Sequence, residues 1–328
     1  MTLRVVVLAG GVGGSRLVLG MRAALRARGV LDTASALTVV VNTGDDLWLS
    51  GVRLQPDVDS ITSALAGAND AERGWGRAGD TERVNRELQE WGAGWPWFTL
   101  GDLDLGTHFA RTGWLREGLT PTQVLERMSR RWDLGARLLP MTDAEVDTIV
   151  TVREGGTTRP MHFQEWWTRH RAALTPVRFD NPGIVDATPA PGVADAIAIA
   201  DVVLVAPSNP VVSIGPILAV PGVREALRAT SAPVVGISPI IGGRVVRGMA
   251  DVCLTAIGVE TSAAAVAGLY GARAGGGLLD AWLLAEEDAA VADEVGGLGI
   301  HPLIAPLWMT DAARSAALAE AALQAAAV

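Results

Sequence analysis

Apolar residues come in short, nearly unbroken runs separated by glycine and by stretches of helical period. Leu3 to Ala9 is such a run, with only Arg4 polar; Gly10-Gly11-Val12-Gly13-Gly14-Ser15 follows, then an amphipathic stretch to about Arg28, and a second run from Leu37 to Val41 ends in Asn42-Thr43-Gly44-Asp45-Asp46. Runs this short, rich in valine and bounded by turn residues, predict strands buried on both faces, and the stretch between them predicts a helix. Together they form a βαβ unit. The pattern returns in the second half, where Asp201–Ala206, Val234–Ser238 and Leu278–Ala281 read as strands. Ala194–Ala200, residues 262–270 and Asp311–Ala327 read as helices, and Gly299–Pro306 leads into the last of them. Strands alternating with helices predict an α/β chain with a mainly parallel sheet and helices on both faces.

Between these halves the pattern changes. Asp57 or Asp59 can cap a helix to about Ala66, Glu82–Trp91 reads as a second helix, Leu100–His108 precedes a third, and Thr120-Pro121 opens a fourth with proline at its first position. Val146–Val152 and Arg159–Phe163 alternate as a hairpin around Glu154-Gly155-Gly156-Thr157. One Rossmann-like domain over 1–328, with a helical insertion at about 58–170 covering one side of its crevice, is the economical account. Six of the eleven tryptophans, Trp75, Trp91, Trp95, Trp97, Trp114 and Trp132, fall in this insertion. They suit the core of a small helical subdomain, and a stacking face for a flat ligand is their other use. His108 and Arg111, three residues apart, share a helix face. The polar, glycine-rich stretch Asn69–Gly79 suits a lid.

The chemistry is expected where strands end. Backbone N–H groups at the start of the first helix lack intrahelical partners, and glycine at four of the five positions 10–14 leaves them open to a phosphate. The turn departs from the dinucleotide fingerprint G-x-G-x-x-G, which has Arg16 where its last glycine belongs, and no Lys-Ser/Thr follows as in a Walker loop. The same glycines also allow a helix to pack closely on a strand. Asp45 and Asp46, at the end of the neighbouring strand, are expected in the same crevice, near its surface. Two carboxylates beside a phosphate repel it unless a cation lies between, which points to magnesium bridging Asp45, Asp46 and a diphosphate. A solvated turn is the simpler use of this pair. The later junction Pro207-Ser208-Asn209-Pro210, continuing to Ser213 and Gly215, is placed as the first one is and by the switch-point rule should face the same crevice.

Composition narrows the field. The 328 residues carry 27 Lys and Arg against 36 Asp and Glu, a net charge of −9 without a basic run, which argues against a nucleic-acid surface. One cysteine, Cys253, and four scattered histidines leave neither a disulfide framework nor a structural zinc site. The start of the chain lacks signal-peptide features, and no apolar run approaches the roughly 18 residues of a membrane span. A cytoplasmic enzyme is expected.

Leu8-Ala9-Gly10-Gly11-Val12-Gly13-Gly14-Ser15, Val41-Asn42-Thr43-Gly44-Asp45-Asp46, Leu100-Gly101-Asp102 and Ala206-Pro207-Ser208-Asn209-Pro210, in this order and spacing, resemble the 2-phospho-L-lactate transferase (CofD/FbiA) family of coenzyme F-420 biosynthesis. The resemblance covers essentially the whole chain and is strongest to the actinobacterial phosphoenolpyruvate transferase branch. It implies transfer of a phospho-three-carbon acid, from lactyl- or enolpyruvyl-diphospho-guanosine, to the ribityl hydroxyl of the deazaflavin Fo, with release of GMP and formation of coenzyme F-420-0 or its dehydro form. It also implies a homodimer. On that reading Gly10, Gly13, Gly14 and Ser15 hold the diphosphate. Asp45 and Asp46 hold magnesium, at most one of them also acting as base. Ser208, Asn209, Ser213 and Gly215 meet guanosine, and Asp57, Thr62 and Trp75 meet the acceptor. Two other readings compete: a nucleotide-sugar-binding regulator of the gluconeogenesis-factor type, which shares the glycine turn, and an NAD-dependent oxidoreductase, disfavoured at Arg16.

Overall fold

The two opening apolar runs pair as their composition requires. In the computed structural model, which describes residues 3–30, 36–70 and 75–327, β1 (Val5–Ala9) and β2 (Leu37–Val41) lie parallel and in register from Val5 opposite Leu37 to Ala9 opposite Val41. Helix α1 (Gly11–Ala27) joins them. A small hairpin, β3 (Leu47–Leu49) and β4 (Val52–Leu54), leads to α2 (Pro56–Leu65), α3 (Arg83–Glu90), α4 (Asp102–Arg116) and α5 (Pro121–Ser129), after which the chain rejoins the sheet as β5 (Arg137–Pro140). A separate antiparallel sheet of β6 (Ile149–Glu154), β7 (Thr157–His162) and β8 (Thr175–Asp180) follows. The second half then runs α6 (Val193–Ala198), β9 (Val202–Val205), α7 (Ile214–Ala219), α8 (Val223–Ala229) and β10 (Val234–Ile237). A two-residue hairpin, β11 (Ile240–Ile241) and β12 (Arg244–Val245), precedes α9 (Ala250–Ala256), α10 (Ala263–Tyr270), β13 (Ala281–Leu284), α11 (Ala292–Gly297), β14 (His301–Ile304) and α12 (Ala312–Ala325).

Seven parallel strands form the main sheet in the order β14-β13-β10-β9-β1-β2-β5. The chain starts in the middle, builds outward to β5, then returns to lay β9 on the other side of β1. Connections on the two sides of the β1/β9 boundary therefore depart in opposite directions, and the loops at the carboxyl ends of these strands leave a crevice. Every residue of β1, β2, β9, β10 and β13 is buried. Alternate side chains serve the two faces: Val6 and Leu8 join α6, α7, α8 and α10, whereas Val5, Val7 and Ala9 join α1, α2 and α12.

Three expectations change. β5 belongs to the main sheet, so the region 58–170 is two excursions, one helical before β5 and one antiparallel after it. Four residues, Arg137-Leu138-Leu139-Pro140, are too short a run to announce a strand. The strand expected at Leu278–Ala281 lies at Ala281–Leu284, because Leu278 and Leu279 are held in the glycine turn before it, both donating to Gly271 O. Helix α4 starts at Asp102, inside the expected loop, since the distant Asp80 carboxylate accepts from the N–H of Leu103 at 2.8 Å and of Asp104 at 3.1 Å and caps it. The proposed lid over Asn69–Gly79 lies partly outside the described residues. Among the described residues no helix is long and apolar enough to cross a membrane.

The α1/α12 contact fixes the back of the sheet. A Cβ on Gly20 of α1 would fall on the main-chain oxygen of Ser315 in α12, so the two backbones touch. Gly20→Ala gains about 1 kcal/mol of helix propensity. The forced separation of two backbones costs about 1–3 kcal/mol and outweighs it. The variant is expected to melt several degrees below the parent; an unchanged or higher midpoint in a thermal melt would show that α12 moves freely.

Candidate active site

The carboxyl ends of β1, β2 and β9 open into a cavity of about 1150 Å³. That exceeds the roughly 300–1,000 Å³ of an ordinary single-ligand site. Just behind its wall lies Asn42, the first residue after β2 and completely buried. Its Oδ1 accepts from Gly44 N–H at 2.9 Å, and its Nδ2 donates to Asp45 Oδ1 at 2.8 Å and to Asp57 Oδ2 at 2.9 Å. One amide thus holds two carboxylates, both buried and both on the cavity wall. Burial first, and then the charge of Asp57, pushes the Asp45 pKa well above the carboxylate range. Burial also pushes Asp57 up to about 6, against the hydrogen bonds from Asn42 and the Gly11 N–H. Among the described residues no cationic side chain pairs with either acid, the arginines of the cavity, Arg16, Arg171 and Arg247, lining other parts of it.

The start of α1 faces the same wall. Gly10 is its N-cap, extended and without a side-chain cap, and Gly11 takes φ +61, where only glycine is at ease. Close packing accounts for the other glycines. A Cβ on Gly10 would collide with the Asp57 carboxylate, one on Gly13 would lie 2.7 Å from Pro207 O, and one on Gly14 would lie 2.9 Å from both Ala9 Cβ and Ser208 Oγ. Gly10 and Gly13 still line the cavity, so packing and an open backbone coincide there. Gly14 does not line it. Ser15 spends its hydroxyl on the helix, donating to Gly11 O at 2.8 Å, and is also off the cavity.

At the β9 junction, Ser208 clasps Gly10 from both sides, its Oγ accepting from the N–H at 3.1 Å and donating to the C=O at 2.7 Å. Asn209 Oδ1 accepts from Val211 and Val212 N–H. Ser208, Asn209 and Ser213 line the cavity, but Gly215 sits within α7 against Pro210 O and does not.

The carboxylate pair differs from the expected one. Successive residues of a tight turn point apart, and Asp46 lies behind the cavity wall, where Gln55 Nε2 donates to it at 2.6 Å and Arg53 Nη2 lies 3.7 Å away. Asp57, expected beside an acceptor, stands against Gly10 at the start of α1 and shares Asn42 with Asp45 in place of Asp46. Thr62 is buried and off the cavity, since at 100° per residue it lies on the side of α2 opposite Ser60, which does line it. Two carboxylates suit magnesium, which takes one or two protein carboxylates and completes its shell with phosphate oxygens and water. Among the described residues no cluster of three or more His, Cys, Asp or Glu could form a fuller cage.

Trp75 lines the cavity, half exposed, and Trp97 joins it, stacked on Trp95 with ring centroids 4.5 Å apart. The expected tryptophan core forms only in part: Trp95 packs on the cluster around Leu47, Leu54 and Leu105 and Trp132 on the core beneath the sheet, but Trp91 is 79% exposed, and the fully buried tryptophans are Trp166 and Trp282. Sequence reasoning also missed Asp59 and Asp104 on this wall, together with Trp167, Arg171 and Trp308 elsewhere. Asp104 and His108, four apart on α4, carried a detectable signal as one helix face. Trp167 and Trp308 carried none, because distant segments bring them here.

Residues 5–295 match the model of the family described as 2-phospho-L-lactate transferase CofD. The chain is 48% identical over 330 residues to the phosphoenolpyruvate transferase of Mycolicibacterium smegmatis, covering 99% of each chain. It is 49% identical over 322 residues to that of Thermobifida fusca, covering 98% of this chain and 97% of the relative. Among solved structures, a member of the UPF0052 family from Bacillus halodurans superposes with a TM-score of 0.63 over 98% of this chain and 99% of that one; at 18% identity this likeness speaks for the fold alone.

Because the folded-state pKa of Asp45 is raised, folding binds its proton more tightly, and the chain loses stability as pH rises from the unfolded value near 3.8 through the folded one. Asp45→Asn removes that loss and keeps the Oδ1 acceptor for Asn42. In metal-free buffer at pH 7 it is expected to melt a few degrees above the parent, the gap closing as pH falls toward 4. A lower midpoint at pH 7 would mean that the Asp45 charge supports the fold.

Proposed function

The chain belongs to the CofD family of transferases, and we propose that it moves a phospho-three-carbon acid from a guanosine-diphosphate-activated donor to the terminal ribityl hydroxyl of the deazaflavin Fo, releasing GMP. The names of its relatives favour the enolpyruvyl donor, and hence dehydro coenzyme F-420-0 as product. One observation carries the reading: two buried carboxylates on a single amide, beside the uncapped start of α1, in a cavity with room for two substrates.

The chemistry asks mainly for positioning and charge compensation, because phosphoryl transfer involves little covalent work by the protein. The hydroxyl oxygen attacks the phosphorus that carries the acid, the bond from that phosphorus to the GMP oxygen breaks, and the hydroxyl proton is released. The N–H groups and dipole at the start of α1 hold the diphosphate. Magnesium, held by Asp45 and Asp57, would supply the positive charge that this pair lacks. At most one of these two carboxylates is then free to receive the hydroxyl proton. Asn209 and Ser213, which line the cavity on the β9 side, would meet guanosine. Trp75 and Trp97, on the α4 side, offer flat faces to the deazaflavin.

Fo is expected to bind at micromolar concentration, followed by its own fluorescence, and more tightly with GDP and magnesium present. Absence of binding under every condition would discard the transferase reading in favour of a nucleotide-binding regulator. Asp57→Asn should lower turnover by about 10²–10³-fold, the cost of removing one preorganised electrostatic group, while Fo binding without GDP persists. Wild-type turnover in this variant would remove Asp57 from the site.

A further inference from the structure

The wall formed by α2 and α4 holds a charged network that the reaction above does not use. His108, on α4, is buried at 6% exposure with one edge on the cavity. Arg111, one turn later, is fully buried, and its Nη1 lies 3.1 Å from His108 Nδ1. Its guanidinium also clasps Asp59 of α2, with Nη1 at 3.1 Å from Oδ2 and Nη2 on Oδ1, and Nη1 reaches Arg53 O at 3.2 Å. Asp104, one turn before His108, lines the same wall, as do Trp75 and Trp97.

The direction of the first contact is forced. A guanidinium only donates hydrogen bonds, so His108 Nδ1 must offer its lone pair to Arg111. A neutral ring then carries its proton on Nε2. Asp59 does not compete for Nδ1: its Oδ2 is 3.6 Å away, beyond hydrogen-bond length, and both its oxygens are engaged by Arg111. Burial, reinforced by Arg111 against the pull of Asp59, holds the imidazole down to about 4, so the ring is neutral near pH 7. Among the described residues no protein group accepts from Nε2, and it is not among the buried unpartnered atoms. That leaves it open to the cavity.

We propose that His108 is a hydrogen-bond donor fixed in its Nε2–H form by Arg111, which holds an uncharged oxygen of the acceptor substrate and takes no proton in the reaction. The inference rests on the transferase reading above. An uncharged oxygen, a ring carbonyl or a ribityl hydroxyl, is favoured over a phosphate because the Arg111 charge is already matched by Asp59 and the neighbouring Asp104 on this wall disfavours an anion. A general-base role is excluded by the same geometry, since the one basic nitrogen of the neutral ring is occupied by a group that cannot accept a proton.

Two independent measurements test it. In the whole protein labelled with ¹⁵N-histidine, which has four histidines to resolve, the His108 signals should show protonated Nε2 and bare Nδ1 near pH 7, assigned by their loss in His108→Gln. A ring protonated on Nδ1 overturns the proposal whether or not Fo binds. In titrations with Fo, His108→Phe is expected to weaken binding about tenfold, the loss of one buried hydrogen bond, with GDP affinity and melting midpoint held. His108→Gln, whose amide N–H lies near the place of Nε2–H, should restore most of that affinity and keep kcat within about threefold, as a general base could not. Parental Fo affinity in His108→Phe, or a hundredfold fall of kcat in His108→Gln, overturns the proposal. Failure of the parent protein itself to bind Fo instead overturns the transferase reading, and the isotope measurement tells the two failures apart.

Discussion

One side-chain amide sets the geometry of this site. Asn42 Nδ2 donates to Asp45 and to Asp57, two carboxylates from different elements, at the boundary where the sheet reverses its order. Both acids are buried although each lines the cavity, and after burial itself the charge of Asp57 adds to the cost of ionising Asp45. Such a pair is tolerable because both are hydrogen-bonded and because their raised pKa values let a proton relieve the charge. The neighbouring backbone is shaped around it: Gly10 has no room for a Cβ because Asp57 occupies that volume, and Ser208 clasps the Gly10 peptide that results.

This arrangement also explains why the site is built at the junction of elements instead of on one. β1, β2, α2 and the segment after β9 each bring one or two groups, and the main sheet fixes their relative positions through strands buried along their full length. Local stability is given up at the cavity wall, where acids are buried, and recovered in the two apolar cores above and below the sheet. The α2/α4 wall repeats the principle in another form. There a buried arginine is neutralised by Asp59 and in turn fixes the orientation of His108, so the Arg111 charge is satisfied within the wall and a neutral donor faces the cavity beside Asp104.

Much of the fold could be read along the chain because parallel strands buried on both faces leave short continuous runs of valine and leucine, as in Val5–Ala9, Leu37–Val41 and Val202–Val205. β5 escaped because it is four residues long, and β13 because the leucines just before it belong to a glycine turn. Of the site, Asp45, the glycine turn and the Ser208–Ser213 segment were legible, since each directly follows a strand and so must reach the crevice. The tryptophans misled, because their number in one stretch says nothing of whether a ring meets the core, the cavity or solvent.

The sequence by itself therefore determined the βαβ start, the parallel sheet, the family and the crevice at the strand ends, all of which follow from local periodicity and from motifs that are contiguous. Only the tertiary structure decided that Asp45 pairs with Asp57 and not with Asp46, that Ser15, Thr62 and Gly215 stand off the cavity, and that Arg111 reaches across to Asp59 while holding His108. These are contacts between groups distant along the chain, or choices of which side of a turn or helix a side chain takes. Both are set by the packing of whole elements, which no residue's own neighbours in sequence specify.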